Sequence, residues 1–328
     1  MTKIAIIGAG LSGLTAAHLL RDHCEVTIFE KSRGVGGRMS TRRAEPYFFD
    51  HGAQYFTAKT KLFQAFMQPL LDQGIIEKWN ARCVIIDANT TGTTKSWNDD
   101  TPRYVGVPGM NNVAKFLAKD IDIQSNTRIT SLSHHGKWQL KDEQEQQFDG
   151  FDWVISTIPS PQAAQLLPHT FAFHQDIELA KMIPCFALML GFEKNLPIEF
   201  DAAQVSNSDL SWIAVNSHKP QRPGPFTLMV HSIAEFAEAH IDDDRQKAMQ
   251  HLIAETGRIT GCDVSEANYK TIHGWRYANV AQREQTHNVF LDQDHKLAVC
   301  GDWCSGGRVE GAFTSAYNLA EKLKAVAL

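Results

Sequence analysis

Lys3-Ile4-Ala5-Ile6-Ile7-Gly8-Ala9-Gly10-Leu11-Ser12-Gly13, continuing through Leu14, Ala17 and Leu20 to Glu25-Val26-Thr27-Ile28-Phe29-Glu30, is the stretch that decides the fold. A short Ile-rich apolar run leads into a glycine turn. The turn opens a helix-like segment reaching about Asp22, and a second strand candidate ends at Glu30. Strand, turn, helix and strand in this order make one βαβ unit. In such a unit Gly8 permits a tight turn, Gly10 lets the backbone come close to a ligand, and Gly13 lets helix and strand lie close together. Leu11 and Ser12 then stand at a helix N-terminus, whose free N–H groups and dipole favour a pyrophosphate. Glu30 lies twenty residues after Gly10, where a carboxylate accepts hydrogen bonds from both hydroxyls of an adenosine ribose. An arginine there would suit a 2′-phosphate; a glutamate repels one.

The next residues narrow the choice of nucleotide. Lys31-Ser32-Arg33-Gly34-Val35-Gly36-Gly37-Arg38 is a second glycine-rich loop, which a plain nicotinamide site does not have. Its cations, with Arg42 and Arg43, also read as a solvated basic turn. Beyond it, helical patterning predicts helices over 63–74, 111–119, 242–256 and 311–326. Strands are predicted at 127–132, 137–140, 153–157, 185–192, 226–232 and 297–300, and within 83–97 around a polar turn at 89–94. Pro159 and Pro161 end the strand at 153–157, because proline cannot continue a ladder.

At 328 residues the chain suggests about two domains. Its 43% hydrophobic and 21% charged content is that of a globular protein, which excludes disordered, fibrous and disulfide-scaffold classes. A formal charge of −5 and a pI near 6.3 argue against nucleic-acid or anionic-membrane partners. The apolar runs at 4–10 and 186–192 fall far below the roughly 18 residues of a membrane helix. A motif beginning at Lys3 leaves no room for a signal peptide. Of six cysteines only Cys300 and Cys304 are close, without the partners of a zinc site. No metal is expected, the thiols read as reduced and structural, and a cytoplasmic location follows.

The order GxGxxG, Glu30, then Gly36-Gly37-Arg38 resembles the FAD-binding fold of the flavin-containing amine oxidase superfamily. The resemblance implies an α/β protein: an FAD-binding Rossmann-like domain of the amine oxidase and p-hydroxybenzoate hydroxylase type, with a second, mixed-sheet substrate domain. The FAD domain would comprise 1–60, 100–160 and 288–328, and the substrate domain 61–99 and 161–287, with the flavin ring between them. It further implies Lys31, Gly37 and Arg38 as FAD-binding residues, with Arg38 reaching the phosphates. Val107-Pro108-Gly109-Met110-Asn111 looks like the family's GGM loop, and Asn126-Thr127-Arg128-Ile129 like the strand touching adenine. Ile155-Ser156-Thr157-Ile158-Pro159 is similar to the strand end that leaves the FAD domain. In Cys300-Gly301-Asp302-Trp303, Asp302 would bond the ribityl chain or pyrophosphate. Gly311 and Ala312 would open a helix aimed at the O2 and N1 edge of the flavin, which gains negative charge on reduction. No cysteine is suited to covalent attachment, so FAD is expected to be noncovalent.

Within the superfamily the chain is similar to the renalases. The likeness rests on Phe49-Asp50-His51-Gly52-Ala53-Gln54-Tyr55-Phe56-Thr57, on Met229-Val230-His231-Ser232 and on Gly274-Trp275-Arg276-Tyr277-Ala278. It implies an oxidase that returns 2- and 6-dihydro isomers of NAD(P)H to NAD(P)+ and reduces O2 to hydrogen peroxide. His51, Gly52, Ala53 and Gln54 would meet the flavin; His51 reads equally as a turn-stabilising side chain. Trp275 and Tyr277 alternate and would wall an aromatic pocket, although a strand Trp also reads as core. His231 would bond a carboxamide or phosphate, assisted by Asn216 or Arg222, against the plainer reading of a structural histidine. Two alternatives stand beside this. One is an amine oxidase or an oxidase of another small molecule; against an amine oxidase weigh the short chain, the lack of an assignable Lys near flavin N5, and Arg276 next to Trp275. The other is a flavin-binding redox sensor.

Overall fold

β1 (Lys3–Ile7), α1 (Leu11–Leu20) and β2 (Glu25–Glu30) form the βαβ unit, with β1 and β2 parallel and Ile7 opposite Phe29. The computed structural model describes residues 1–90, 94–96, 101–281 and 288–327. The β1 run is continuously apolar because both of its faces are covered. Ile4 and Ile6 join a core with Leu14 and Leu20 of α1 and Leu319 and Leu323 of the last helix; Ala5 and Ile7 join another with Trp138, Phe151 and Phe171. Around β1 and β2 a six-stranded sheet runs in the order Phe290–Asp292, Leu297–Val299, Trp153–Ser156, β1, β2, Asp122–Ser125. All neighbours are parallel except the first pair. An antiparallel layer of Ile129–His134, Trp138–Asp142 and Gln147–Phe151 covers part of it.

After β2 come the hairpin of β3 (Thr41–Ala44) and β4 (Tyr47–Asp50) and the helix α2 (Lys61–Asp72), capped by Thr60. A second sheet has the order Tyr269–Val280, Met182–Phe192, Phe226–Ser232, Leu210–Val215, Ala202–Ser206, Cys83–Asp87, Thr94–Ser96. It is mixed: Ala202–Ser206 is parallel to Cys83–Asp87 and the other neighbours are antiparallel. Strand alternation splits its residues between two cores. Phe186, Leu188 and Leu190 face Leu252 of the helix Arg245–Thr260, whereas Ala187 and Met189 face the core shared with β1 and α1. The second face is the one that reaches the cavity.

Several element limits differ from the sequence reading. The helix expected over 242–256 is Arg245–Thr260: the Asp244 side chain caps Gln246 N, and Gly261 at φ +67° closes it. The last helix begins at Arg308, so Gly311 and Ala312 lie inside its first turns; the preceding Gly306 and Gly307, at φ +75° and +80°, set the turn into it. The segment around Trp275 is a 12-residue strand, Tyr269–Val280. Part of the turn at 89–94, and the end of its second strand at Trp97, lie outside the described residues. Among the described residues no helix is long and apolar enough to cross a membrane, and the six cysteines are free thiols.

Candidate active site

The turn from β1 into α1 opens onto one large cavity of about 3250 Å³, several times the ~300–1,000 Å³ of an ordinary small-molecule site. At its β1 end the first turn of α1 carries no side-chain cap. A Cβ added to Gly10 would meet nothing within 4 Å, so open space lies against the helix N-terminus. Gly8 sits at φ +106°, and a Cβ on Gly13 would stand 2.0 Å from the Gly8 carbonyl oxygen. Glu30, 7% exposed, accepts the N–H groups of Ala9 and Ser32 at 2.8 Å each. Uncapped N–H groups beside open room, with a fixed carboxylate twenty-one residues from Ala9, fit the pyrophosphate and ribose of a dinucleotide.

Of the residues expected to hold a cofactor, Gly8, Gly10, Leu11, Ser12, Glu30, Lys31, Gly37, Arg38, His51, Gly52, Ala53, Gln54, Arg128, Ile129, Thr157, Asp302, Gly311 and Ala312 all line this cavity. Gly13 stands behind it as the close-contact glycine. Four of these side chains bond within the protein. Arg38 makes a two-pronged pair with Asp302 (Nη1–Oδ2 2.8 Å, Nη2–Oδ1 2.6 Å), so the two present a neutral pair rather than a lone cation and a lone carboxylate. Thr157 Oγ1 donates to the carbonyls of Ile7 and Gly8, which holds the turn from β1. Ser12 Oγ donates to the Ala312 carbonyl at 3.0 Å and so ties α1 to the last helix.

At the other end the mixed sheet supplies a row of side chains on one face. In register, His273 lies opposite Ala187, Ala187 opposite His231, and His231 opposite Trp212. Trp275, two residues past His273, shares that face and reaches across to the loop after β4. Its Nε1 donates to the His51 carbonyl at 2.8 Å, and its ring lies on the His51 imidazole with centroids 5.2 Å apart at 25°. His273 meets Trp275 edge-on at 4.3 Å and His51 at 5.2 Å. Burial foremost, and then neighbouring cations, make all three imidazoles weak bases. His51 is pushed down to about 3, by burial, His273 and Arg42; His231 to about 4, by burial and Lys219; and His273 to about 4, by burial, Arg42 and Arg245. At neutral pH this wall is aromatic and uncharged. Nε2 of His231 and Nδ1 of His51 are enclosed without a partner among the described residues. Tyr277 also lines the cavity.

Asn216 departs from its expected place at the substrate. It is fully buried, accepts the Asp50 N–H, donates to the Phe48 carbonyl and does not line the cavity. It holds β4, as does a buried ion cluster that sequence reasoning did not find. Asp50, 0% exposed, receives Arg222 Nε and Nη2 at 3.0 and 2.6 Å, Lys219 Nζ at 3.4 Å, the Met110 N–H at 3.0 Å and Thr41 Oγ1 at 2.8 Å. Burial alone would raise the Asp50 carboxyl, but Lys219 and Arg222 overcome it and hold it below the carboxylate range. Lys219, lowered to about 8 chiefly by burial, also donates to Gln54 Oε1 at 3.2 Å. Arg222, an expected substrate assistant, is occupied here. Nothing local in Lys219-Pro220-Gln221-Arg222 signals the cluster until the fold brings Asp50 to it.

A profile for flavin containing amine oxidoreductases matches residues 84–324, and one for an NAD(P)-binding Rossmann-like domain matches residues 6–70. Renalase of Mus musculus is 22% identical over 99% of this chain and 99% of its own. A crystal structure from Exiguobacterium sp. 255-15 superposes with a TM-score of 0.77 at 13% identity, covering 99% of both chains. Putrescine oxidase bound to putrescine superposes with a TM-score of 0.73 at 13% identity, again covering 99% of both.

Proposed function

Because the chain belongs to the flavin containing amine oxidoreductase family and is an FAD-dependent oxidoreductase with a renalase-like sequence, we propose that it oxidises the 2- and 6-dihydro isomers of NAD(P)H to NAD(P)+. Two electrons and a proton pass on to dioxygen, which with a second proton leaves as hydrogen peroxide. The observation that carries this reading is the uncharged wall of His51, His231, His273 and Trp275.

FAD, when bound, supplies the hydride acceptor and the route to dioxygen. The residues to hold it noncovalently are the α1 N-terminus at Gly10–Ser12, Glu30, the Gly36-Gly37-Arg38 loop, Gly52–Gln54 and the first turn of the last helix. The segments 1–60, 100–160 and 288–328 would form the cofactor domain. Trp275, pinned by its bond to the His51 carbonyl, offers a fixed face on which a flat ring orients. A dihydropyridine is already electron-rich and gives up hydride without a base, so weakly basic imidazoles suit it. They can hydrogen-bond a carboxamide without acquiring charge, and the reading gives this bond to Nε2 of His231, which has no other partner among the described residues. An alkylammonium would first have to lose a proton, and imidazoles lowered to about 3 or 4 are poor acceptors for it.

Anaerobic mixing of the yellow protein with 2- and 6-dihydro-NAD(P), ordinary NADH and a panel of amines tests the reading. Rapid bleaching of the flavin band by the isomers alone, reversed by air with peroxide release, is the expected result. Bleaching by amines would move the protein to amine oxidation, and no bleaching by any of these would leave redox sensing as the better account.

A further inference from the structure

Among the described residues, two arginines beside the uncharged wall have no carboxylate within 4 Å. Arg42, on β3, and Arg245, first residue of its helix, both line the cavity, and the charges of both bear on His273. Arg42 bears on His51 as well. The Nε of Arg42 is enclosed and has no hydrogen-bond partner, and neither guanidinium has a carboxylate within 4 Å among the described residues. Neighbouring cations are already matched: Arg276 is held by Asp242 (Nη1–Oδ2 3.3 Å) and Arg38 by Asp302. Among the described carboxylates of the cavity, Glu310 accepts the N–H groups of Lys59 and Thr60, and Glu30 lies at the end of β2. That leaves Glu235, exposed on the first turn of its helix, as the remaining anion. An enclosed guanidinium N–H with nothing to bind is costly unless an anion arrives with the ligand.

We propose that Arg42 and Arg245 form an anion clamp that takes the pyrophosphate of a dinucleotide substrate whose ring lies against Trp275 and His273. The identity of that ring rests on the function proposed above; the anion does not. The large cavity leaves space for a second nucleotide beside the cofactor, and guanidinium forks match phosphate oxygens in pairs. The clamp selects dinucleotides over alkylammonium compounds, which two unpaired cations repel.

The test uses the FAD-loaded protein and ADP-ribose, which has the pyrophosphate but no reducible ring, followed by calorimetry and by the shift of the flavin spectrum. ADP-ribose is expected to bind and adenosine not to. Arg42→Gln and Arg245→Gln should each weaken ADP-ribose about tenfold, with partial recovery in Arg42→Lys. Lys247→Gln makes the same charge change on the helix of Arg245 outside the cavity lining, and should leave affinity within about twofold. FAD content and circular dichroism establish that each variant is folded. Equal affinity of the wild type and the double variant, or an equal loss in Lys247→Gln, overturns the clamp. The two readings separate in the reductive reaction. If dihydro-NAD isomers bleach the double variant with unchanged half-saturation, the clamp fails and the proposed function stands. If no dihydropyridine bleaches the wild type, yet ADP-ribose binds through both arginines, the clamp stands and the proposed function fails.

Discussion

Trp275 hydrogen-bonds the carbonyl of His51 across 224 residues of sequence while stacking on the same residue's ring. This double contact joins the long strand of the mixed sheet to the loop that leads into Gly52–Gln54. Trp275→Phe keeps most of the ring and loses the bond, so flavin reduction by substrate should slow about two- to tenfold, the weight of one hydrogen bond of ~0.5–1.5 kcal/mol. Trp275→Ala loses both and should slow it further, by another ~0.5–1.5 kcal/mol of stacking. FAD content should be unchanged in each. Anaerobic stopped-flow measures this, and an unaltered rate in Trp275→Ala would return the residue to the core.

Gly10 and Gly13, in the same turn, should fail in opposite ways when substituted. A Cβ at Gly10 meets no protein atom within 4 Å, and its φ of −73° suits any residue. Gly10→Val should therefore leave the thermal unfolding of the FAD-free protein near wild type while lowering FAD affinity at least about tenfold. Gly13→Ala places its methyl 2.0 Å from the Gly8 carbonyl oxygen and should destabilise the protein itself by ~1–3 kcal/mol or more. Retention of full yellow colour by Gly10→Val would refute the placement of the phosphate cradle.

Among the described residues, Asp50 is the single anion of a fully buried cluster holding two cations. Asp50→Asn leaves Lys219 and Arg222 buried together without a counter-charge, and should cost ~3–5 kcal/mol. Lys219→Met leaves the Asp50–Arg222 pair intact and should cost clearly less, although Gln54 Oε1 loses a donor. Urea unfolding of the two variants gives the order; a milder effect for Asp50→Asn would contradict the cluster's charge balance.

The histidine wall makes stability depend on pH below neutrality. His231 and His273 have folded values near 4, and His51 near 3, against an unfolded value of 6.5. The unfolded chain therefore binds protons that the folded one refuses, so stability is full above pH 6.5 and falls as pH drops toward 4. Between pH 6.5 and 5 most carboxylates are still ionised, which isolates the histidine contribution. Urea unfolding across that window should show the decline, and His273→Gln should make it shallower. A wild-type profile that is flat there would mean the imidazoles are protonated in the folded protein.

The cofactor end was legible because its chemistry is local. Gly8, Gly10, Gly13 and Glu30 lie within one βαβ unit, and each answers to a backbone requirement readable at its own position. The far end was legible only as a set of candidates. Trp275, His231 and His51 were named without any means of bringing them together, and Asn216, which the structure places behind β4, was named beside them because an amide looks alike whether it meets a ligand or holds a strand. Asp50, Lys219 and Arg222 passed unnoticed as a unit because a carboxylate 169 residues from a lysine has no periodicity to betray it.

By itself, then, the sequence determined the α/β class, the dinucleotide turn and the more strongly patterned strands and helices, set by short-range periodicity and by where glycine and proline allow the chain to turn, but not shorter elements such as the β3–β4 hairpin or the strands Ala202–Ser206 and Leu210–Val215. The tertiary structure alone decided which side of the mixed sheet meets the cavity, that Arg38 and Asp302 neutralise each other, and that three imidazoles become weak bases while Arg42 and Arg245 have no carboxylate within 4 Å among the described residues. Those outcomes depend on burial and on charges brought together from distant segments. Both are properties of the folded neighbourhood rather than of any stretch of chain.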